Sequence, residues 1–534
     1  MKSLAGTNAL LGLALRRDRI MLPVWVYAFT AAAYASAAST KKLYPTVRSR
    51  VEFAAGAGSN PTTIAIYGPS DDLHTLGGLA TWKMSALGAV LVGVMSMVIV
   101  TRHTRADEEA GRLELVSAGV VGRRAALTVA LLVALAANLL IALLVGAGLV
   151  AGGAPAGASF AFGLALAAAG CMFAAVAALA AQLAQSARAA NGIVIVVLAV
   201  AYLLRGAGDA ASTTSWMSGL SWASPIGWTQ HIRPFGPIHW WVFGVAAAFA
   251  AVFTCVAYAI VAERDIGAGL LPPRPGPPRA GASLRGALGL AWRLERGPLL
   301  AWAAGFALYG AVIGGIADGV GALVNDSPAA TKLFAEMGGQ FGLVDAFIAA
   351  TMGFMGVLAA VYTTAAVLRL RAEETGQRAE PVLAAAVGRT RWAFSHLAFA
   401  VAGPVILLGA AGLMAGFAHG ARTGDMATQL PRVLGAAFVQ LPAAWMLTGV
   451  AMALFGLAPR LAAVSWGAVA ASLMLGEFGP VFGLKQWAMD LSPFTHLPKL
   501  PGAAFAVPPL AWLTVAAALL VAAGLAGLRL RDIG

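Results

Sequence analysis

Long apolar stretches recur along the whole chain, and they restrict its possible folds more than any other feature. Each stretch is about twenty residues long, the length at which an α-helix crosses a hydrocarbon core of about 30 Å. Because no water reaches that depth, the backbone must satisfy its own hydrogen bonds, and a helix does so locally. The sequence therefore predicts an all-α polytopic membrane protein with about 12 transmembrane helices. The predicted spans are 20–38, 79–100, 125–150, 159–181, 190–205, 239–261, 299–320, 346–367, 393–417, 432–456, 461–476 and 508–528.

The composition agrees with a membrane protein and argues against several other classes. Hydrophobic residues make up 60% of the chain and charged residues only 11%, too few to cover the surface of a soluble protein of 534 residues. The net charge of +13 would suit a nucleic-acid-binding protein, but 24 of the 36 Lys and Arg fall in segments predicted to face the cytoplasm. The positive-inside rule explains that excess. We therefore expect both termini in the cytoplasm and no nucleic acid partner.

Cysteine and histidine give no sign of a disulfide or a metal site. Cys171 and Cys255 both lie inside predicted spans, where cysteine is common packing material. The seven histidines show no spacing typical of metal ligands. We expect no bound metal.

Two polar segments of the first half of the chain recur in the second half, in the same order. The segment before the first span, 10–25, matches 287–302 in its interleaved leucine, arginine and tryptophan positions. The loop at 105–123 aligns without gaps to 371–389, with ten of 19 positions identical. Repeats of this length are the signature of a duplicated structural unit.

A third repeated element marks the end of each unit. The tetrapeptide RDIG occurs at 264–267 and again at 531–534, at nearly the same distance from the repeated loop. With six predicted spans in each unit, both units enter the membrane from the same side. The sequence therefore predicts two parallel six-helix halves related by a pseudo-two-fold axis along the membrane normal.

The domain boundaries follow from the repeat. We expect a first half over 1–265, with an elbow helix and a charged loop at 101–124. A proline-rich cytoplasmic linker at 266–286 separates it from a second half over 287–534, which has its own elbow helix and charged loop at 369–391. Apolar residues interleaved with charges before a span are typical of an amphipathic helix on the inner leaflet, although flanking basic residues alone would also set topology.

The repeated loops carry more acidic residues than a topology signal needs. Opposite charges stand at i,i+4 in Arg105–Glu109, Glu108–Arg112 and Glu374–Arg378. That spacing supports a short solvated helix. A charged helix that occurs once per half predicts a docking element for a two-fold soluble partner. A solvated turn without a partner is the alternative.

Several motifs resemble one transporter family. They include RHTR at 102–105 with the Glu-Glu pair that follows, LLRGAGD at 203–209, LSWASPIGWTQHIRPF at 220–235 and RDIGAGL at 264–270. In this order they resemble ABC-2-type permeases of the polyketide antibiotic exporter family, including tetronasin-resistance-like permeases. The second half departs from the pattern at Thr375, Gln377 and Pro381, which predicts that the two loops contact their partners differently.

The resemblance implies a type V ABC exporter fold in the bacterial cytoplasmic membrane, with the loop helices acting as coupling helices. It implies two copies of a separate P-loop ATPase subunit, which would bind ATP and Mg²⁺, and lipophilic antibiotics or drugs as substrates. The ATPase-coupling residues it implies are Arg105, Glu108, Glu109, Arg112 and Glu114, and Arg371, Glu373, Glu374, Arg378 and Glu380.

The chain itself carries no G-x-x-x-x-G-K-[ST] motif. We therefore expect that it is not an enzyme, has no catalytic residues and binds no cofactor. A secondary transporter of the major-facilitator type also has two parallel six-helix halves. A proton-coupled member would need ionisable residues inside its spans, and the predicted spans hold mostly Asn138, Asn191, His396 and Gln440. A non-energised lipid-handling protein is the third alternative.

The sequence gives little direct information on which residues line the substrate path. Flexible thioethers and aromatic rings suit variable lipophilic ligands, although the same residues are common packing in any span. The residues predicted to line the path, near spans two, five, eight and eleven, are Met84, Met95, Met97, Phe347, Phe354, Met355 and Met474.

Overall fold

A computed structural model describes most of the chain, and all regular elements in its described part are helices. The described residues are 4–58, 61–69, 72–117, 119, 121–211, 215–265, 267–270, 279, 281, 284, 286–324, 342–385, 387–477 and 485–531. Within them, 11 helices are long and apolar enough to cross a membrane. The chain is therefore a polytopic helical membrane protein.

The chain divides into two compact units, Met1–Pro275 and Gly276–Gly534, each with its own apolar core. The division falls inside the segment predicted to be a linker, most of which lies outside the described residues. The second RDIG copy is likewise described only at Arg531.

The first unit contains twelve α-helices in its described part. They are α1 (Thr7–Arg17), α2 (Met21–Leu43), α3 (Val47–Gly58), α4 (Pro61–Tyr67), α5 (Leu76–His103), α6 (Arg105–Glu109), α7 (Arg112–Ser117), α8 (Ala125–Ala151), α9 (Ala156–Leu183), α10 (Ala187–Ala210), α11 (Pro225–His231) and α12 (Trp241–Glu263), with a 3₁₀ turn at Trp216–Ser221.

The second unit contains nine α-helices in the part of it that the structure describes. They are α13 (Ala287–Val324), α14 (Leu343–Thr375), α15 (Ala379–Ala384), α16 (Arg389–Thr423), α17 (Met426–Phe438), α18 (Leu441–Leu457), α19 (Ser465–Ser472), α20 (Gln486–Met489) and α21 (Val507–Leu530), with 3₁₀ turns at Pro459–Val464 and Pro493–His496 and a π-helical turn at Leu473–Glu477.

The predicted span at 461–476 is not one long helix. A 3₁₀ turn ends at Val464, α19 covers only eight residues, and a π-helical turn follows it. Eight residues of α-helix rise about 12 Å, far less than the hydrocarbon thickness. The described residues therefore supply eleven candidate spans where the sequence predicts about twelve.

The two elbow segments differ. In the first unit α1 ends at Arg17 and α2 starts anew at Met21, with Pro23 in the first turn, where proline is tolerated. In the second unit the lead-in and the span share one helix, because α13 runs unbroken for 38 residues through Pro298. An elbow helix on the inner leaflet at the start of each half stays a prediction.

Hydrogen bonds to backbone carbonyls fix the end of α4 in the first unit. The last carbonyls of a helix lack partners within it, and at the end of α4 four consecutive carbonyls accept hydrogen bonds from side chains of α10, α11 and α5. The pairs are Ala65–Arg205 (2.7 Å), Ile66–Tyr202 (2.8 Å), Tyr67–Gln230 (2.9 Å) and Gly68–Trp82 (3.0 Å). These bonds hold the segment between α2 and α5 against the helix bundle.

Glycines bring helix backbones together in the second unit, as their spacing predicts for Gly310 and Gly314. A Cβ atom on Gly310 would lie 2.2 Å from the carbonyl oxygen of Ala411, and one on Gly314 would lie 2.1 Å from that of Ala415. Helices α13 and α16 therefore touch backbone to backbone along this line.

The replacement Gly314→Ala should destabilise the protein by about 2 kcal/mol, because the added methyl group overlaps a backbone oxygen that cannot rotate away. Gly305→Ala on the same helix is the matched control, since nothing lies within 4 Å of its Cβ position. The thermal unfolding midpoint of the purified protein in detergent tests this. Equal midpoints for the two variants would contradict the close packing.

Candidate functional site

The first charged loop follows directly from the end of α5. Its two short helices, α6 and α7, are joined at Gly111, whose φ of +68° lies in the left-handed region that favours glycine. The second loop makes the same turn at the aligned position with Gln377, at φ +55°. A non-glycine residue there costs about 1 kcal/mol, so the repeat keeps the turn even where its preferred residue is lost.

Glu108 lies at the centre of the first loop and is buried between two guanidinium groups. Its Oε2 is 2.6 Å from Arg105 Nη1, and its Oε1 is 2.5 Å from Arg264 Nη2. Arg264 immediately follows α12 and opens the first RDIG. Arg123, at the end of the loop, donates to the Arg264 carbonyl. The repeated loop and the repeated RDIG are thus parts of one cluster.

Arg105 extends this cluster to other helix ends. Its side chain is 1% exposed, and its Nε and Nη2 donate to the Ala181 carbonyl near the end of α9 at 2.9 and 2.6 Å. The same guanidinium donates to the carbonyl of Ala268 at 3.2 Å. One buried arginine therefore ties the end of α5 to α9 and to the segment after α12.

The second loop is built in the same way. Arg531 donates to both oxygens of Glu374, at 2.7 and 2.9 Å, and Arg389 donates to the Arg531 carbonyl at 2.7 Å. Arg371 lies 3.3 Å from Glu374, but its side chain is 32% exposed. The carboxylate cluster is conserved between the halves, while the buried arginine that extends it belongs to the first half alone.

The outward-facing charges pair differently from the sequence prediction. Asp107 binds Arg112 at 2.8 Å, and Glu373 binds Arg378 at 2.9 Å. The predicted i,i+4 pairs Arg105–Glu109, Glu108–Arg112 and Glu374–Arg378 do not form. Glu108 instead binds Arg264, and Glu374 binds Arg531. The left-handed turn at Gly111 and Gln377 breaks the helix, so helical spacing does not apply to Glu108–Arg112 or Glu374–Arg378, which lie across it. Arg105 and Glu109 share α6, but Arg105 binds Glu108 and the Ala181 carbonyl, while Glu109 binds the Ala187 amide.

The remaining predicted coupling residues lie towards the surface. Glu109 is exposed, and its Oε2 accepts a hydrogen bond from the Ala187 amide at the start of α10 at 3.0 Å. Glu114 and Glu380 are exposed in the first turns of α7 and α15. Glu373 raises the pKa of Arg378 above its ordinary value through a hydrogen bond and its negative charge, so the Arg378 guanidinium stays protonated.

A second repeated polar contact, which the sequence did not predict, joins the lead-in segment to the end of the second span. Asp18 is fully buried, with Oδ2 2.5 Å from His103 Nε2. At the aligned position Glu295 lies 3.2 Å from Arg369, the residue aligned with His103. An acidic residue at the same place in both lead-ins was the available signal. These pairs anchor each lead-in to the base of its loop.

The predicted substrate-path residues are divided between the two units. Met95 and Met97 belong to the core of the first unit and Met355 to that of the second, where their burial is packing. Met84, Phe347 and Phe354 are partly buried and Met474 is exposed. A substrate role for these seven residues stays a prediction. No group of three or more metal-ligating side chains occurs within the described ranges.

Glu108→Gln and Glu374→Gln should each destabilise the protein by about 3 kcal/mol, because they leave buried guanidinium groups without their counter-charge. Glu52→Gln is the control: Glu52 pairs with Arg48 at the surface, and such pairs add little stability. Thermal unfolding in detergent measures all three. A Glu52→Gln shift as large as the other two would refute a special role for the buried clusters.

Comparisons with known proteins agree with this architecture. The family model described as "Multidrug efflux system permease Rv1217c, C-terminal domain" matches residues 8–261 and 284–529. The multidrug efflux system permease protein Rv1217c of Mycobacterium tuberculosis (strain ATCC 25618 / H37Rv) is 43% identical over 530 residues, covering 99% of this chain and 95% of that protein. Both matches extend over both units. With its polytopic helical fold and its two repeated charge clusters, the chain belongs to the family of multidrug efflux system permeases.

Proposed function

We propose that this chain is the transmembrane subunit of an ATP-driven ABC-2-type exporter with the type V fold, of the tetronasin-resistance-like kind. Two copies of a separate P-loop ATPase subunit would bind ATP and Mg²⁺ and dock on the two charged loops. Two observations support this proposal: the relative is the permease of an efflux system, which implies a partner component, and the sequence carries no Walker A motif of its own.

The observation that carries the proposal is the shared framework of the two loops. Glu108 with Arg264 and Glu374 with Arg531 form the same cluster at aligned positions, although the helices around them differ. Because the same cluster occurs in both loops, the chain is suited to bind two identical partners, one at each loop. Both termini and both loops would then lie in the cytoplasm, with the helices in the inner membrane.

The predicted coupling residues separate into two roles in this proposal. Exposed side chains would contact the ATPase, whereas buried ones would transmit its movement to the helices. The exposed, contacting group is Glu109, Arg112, Glu114, Arg378 and Glu380, and the buried, transmitting group is Arg105, Glu108 and Glu374. Arg371 and Glu373 are partly exposed and pair with members of both groups.

In the first unit, hydrogen bonds and ion pairs give a route by which a movement of the loop would reach the long helices. A displacement of α6 carries Arg105 and Glu108 with it, and these pull on the Ala181 carbonyl of α9 and on Arg264 after α12. Glu109 adds a bond to the start of α10. A loop joined to the ends of four long helices moves them together, so ATP-driven docking would shift the population between inward-open and outward-open forms.

The substrate class in the proposal, lipophilic antibiotics or drugs, follows the family resemblance and the multidrug efflux relative. Among the predicted path residues, Met84, Phe347, Phe354 and Met474 are the better candidates for contact, because their side chains are not enclosed in a unit's core. Flexible and aromatic side chains at partly open positions suit ligands of varied shape.

The docking role is tested with Leu115, which is 79% exposed on α7, next to the proposed contact group. Leu115→Asp should reduce co-purification of a co-expressed P-loop ATPase subunit by about tenfold, because the apolar contact that Leu115 would make in the complex is replaced by a desolvated charge. Drug-stimulated ATPase activity should fall in parallel. The unfolding temperature of the isolated permease should not change.

Trp216→Asp is the matched control, since Trp216 is 80% exposed but lies beyond the other end of α10. It should leave ATPase association intact. Full association and stimulated hydrolysis in Leu115→Asp would overturn the docking role, and drug export by the purified permease without any ATPase would overturn the proposed energy source.

A further inference from the structure

A groove of about 360 Å³ opens between α1, α7 and the start of α8 in the first unit. Apolar side chains of Leu10, Leu13, Leu113 and Val129 line one part of it. The other part is polar and contains the guanidinium groups of the arginines on α1 and α7. The groove is therefore amphipathic, with an apolar stretch beside a cationic one.

Its position relative to the spans is defined by three helix ends. Candidate spans begin at Met21 and Ala125, and α5 ends at His103, which also lines the groove. Val129 lies one turn inside the span that starts at Ala125, whereas Arg17 precedes the span that starts at Met21. The groove thus lies at the ends of candidate spans, which is where a spanning helix meets the lipid headgroups.

The polar part of the groove carries a net positive charge. Asp107 Oδ1 accepts from Arg17 Nη1 at 2.6 Å and from Arg112 Nε and Nη2 at 2.9 and 2.8 Å. One carboxylate balances only one of the two guanidiniums, and each arginine has five N–H donors. Arg16 and Arg19 are exposed on the same lead-in and add to the field. Paired guanidiniums with spare donors recognise phosphate.

We propose that this groove binds one anionic phospholipid of the inner leaflet, with the phosphate on Arg17 and Arg112 and the first acyl carbons along Leu13 and Val129. Basic pockets at the cytoplasmic ends of spans are suited to acidic headgroups. A soluble protein segment fits less well, because the apolar lining of the groove adjoins the start of a candidate span, where lipid rather than water would surround the helices.

The second unit differs from the first at two positions aligned with the groove lining. Leu294 takes the place of Arg17, so the lead-in supplies no guanidinium at that position. Trp392, whose indole is buried, takes the place of the small Ala126 of the groove wall. The proposal therefore predicts one lipid site per chain, on the first half only.

The test measures lipid retention by the purified full-length chain alone, using native mass spectrometry in detergent. The probes are dioleoyl phosphatidylglycerol, dioleoyl phosphatidylcholine with the same acyl chains, and inorganic phosphate. We expect one phosphatidylglycerol to bind about tenfold more tightly than phosphatidylcholine. Inorganic phosphate should neither bind appreciably nor displace the lipid. Equal affinity for the two lipids, or displacement by phosphate, would overturn a phospholipid site.

Two variants locate the site, and each introduces the residue that the second half already carries. Ala126→Trp fills the groove without changing charge, and Arg17→Leu removes one guanidinium. Each should weaken phosphatidylglycerol binding about tenfold, because one excludes the acyl chain and the other removes a charge-assisted contact. Arg293→Leu, which removes an exposed arginine from the second lead-in, should leave binding unchanged.

The outcome is separable from the proposed ATP coupling, because no ATPase is present in the measurement. Unchanged lipid binding in both Ala126→Trp and Arg17→Leu would overturn the proposal. If those variants instead lost ATPase co-purification while retaining lipid, the groove would be a protein-docking surface. Loss of lipid binding in Arg293→Leu as well would show a diffuse charge effect rather than a site.

Discussion

A buried carboxylate held between arginines is the interaction on which the rest of each half depends. Glu108 and Glu374 are enclosed at the ends of their second spans, and each requires the arginine that follows the last span of its own half. Buried charges of this kind are costly unless fully paired. The loop, the helix before it and the final helix must therefore all be in place for either cluster to form.

The clusters also explain why polar segments repeat more clearly than apolar ones. Lipid-facing positions accept any apolar residue, so the two sets of spans diverge freely. Glu108 accepts only a partner with matching charge and geometry, and the same holds for Asp18 with His103 and for Glu295 with Arg369. The shared sequence of the two halves is the sequence that supplies these few buried contacts.

Much of this architecture is predictable from sequence, and the failures have physical causes. Apolar length predicts the helices, and repetition predicts that the loop and RDIG matter. Helical spacing wrongly pairs Glu108 with Arg112, because sequence distance does not reveal that Arg264 lies beside the loop. Nor does it reveal that α13 passes unbroken through Pro298, or that the predicted span at 461–476 divides into short turns. Contacts between distant residues decide each of these cases.

The distance between the partners has a consequence for biosynthesis. Glu108 and Arg264 are 156 residues apart, and Glu374 and Arg531 are 157 apart. At about 5–20 residues per second, a new loop waits roughly ten to thirty seconds before its arginine leaves the ribosome. During that interval the later spans of the half are made, while the loop lacks its closing contact. Each half can therefore complete its cluster only after its last span has been made. A chain truncated before Arg531 would leave Glu374 without the arginine that completes its cluster.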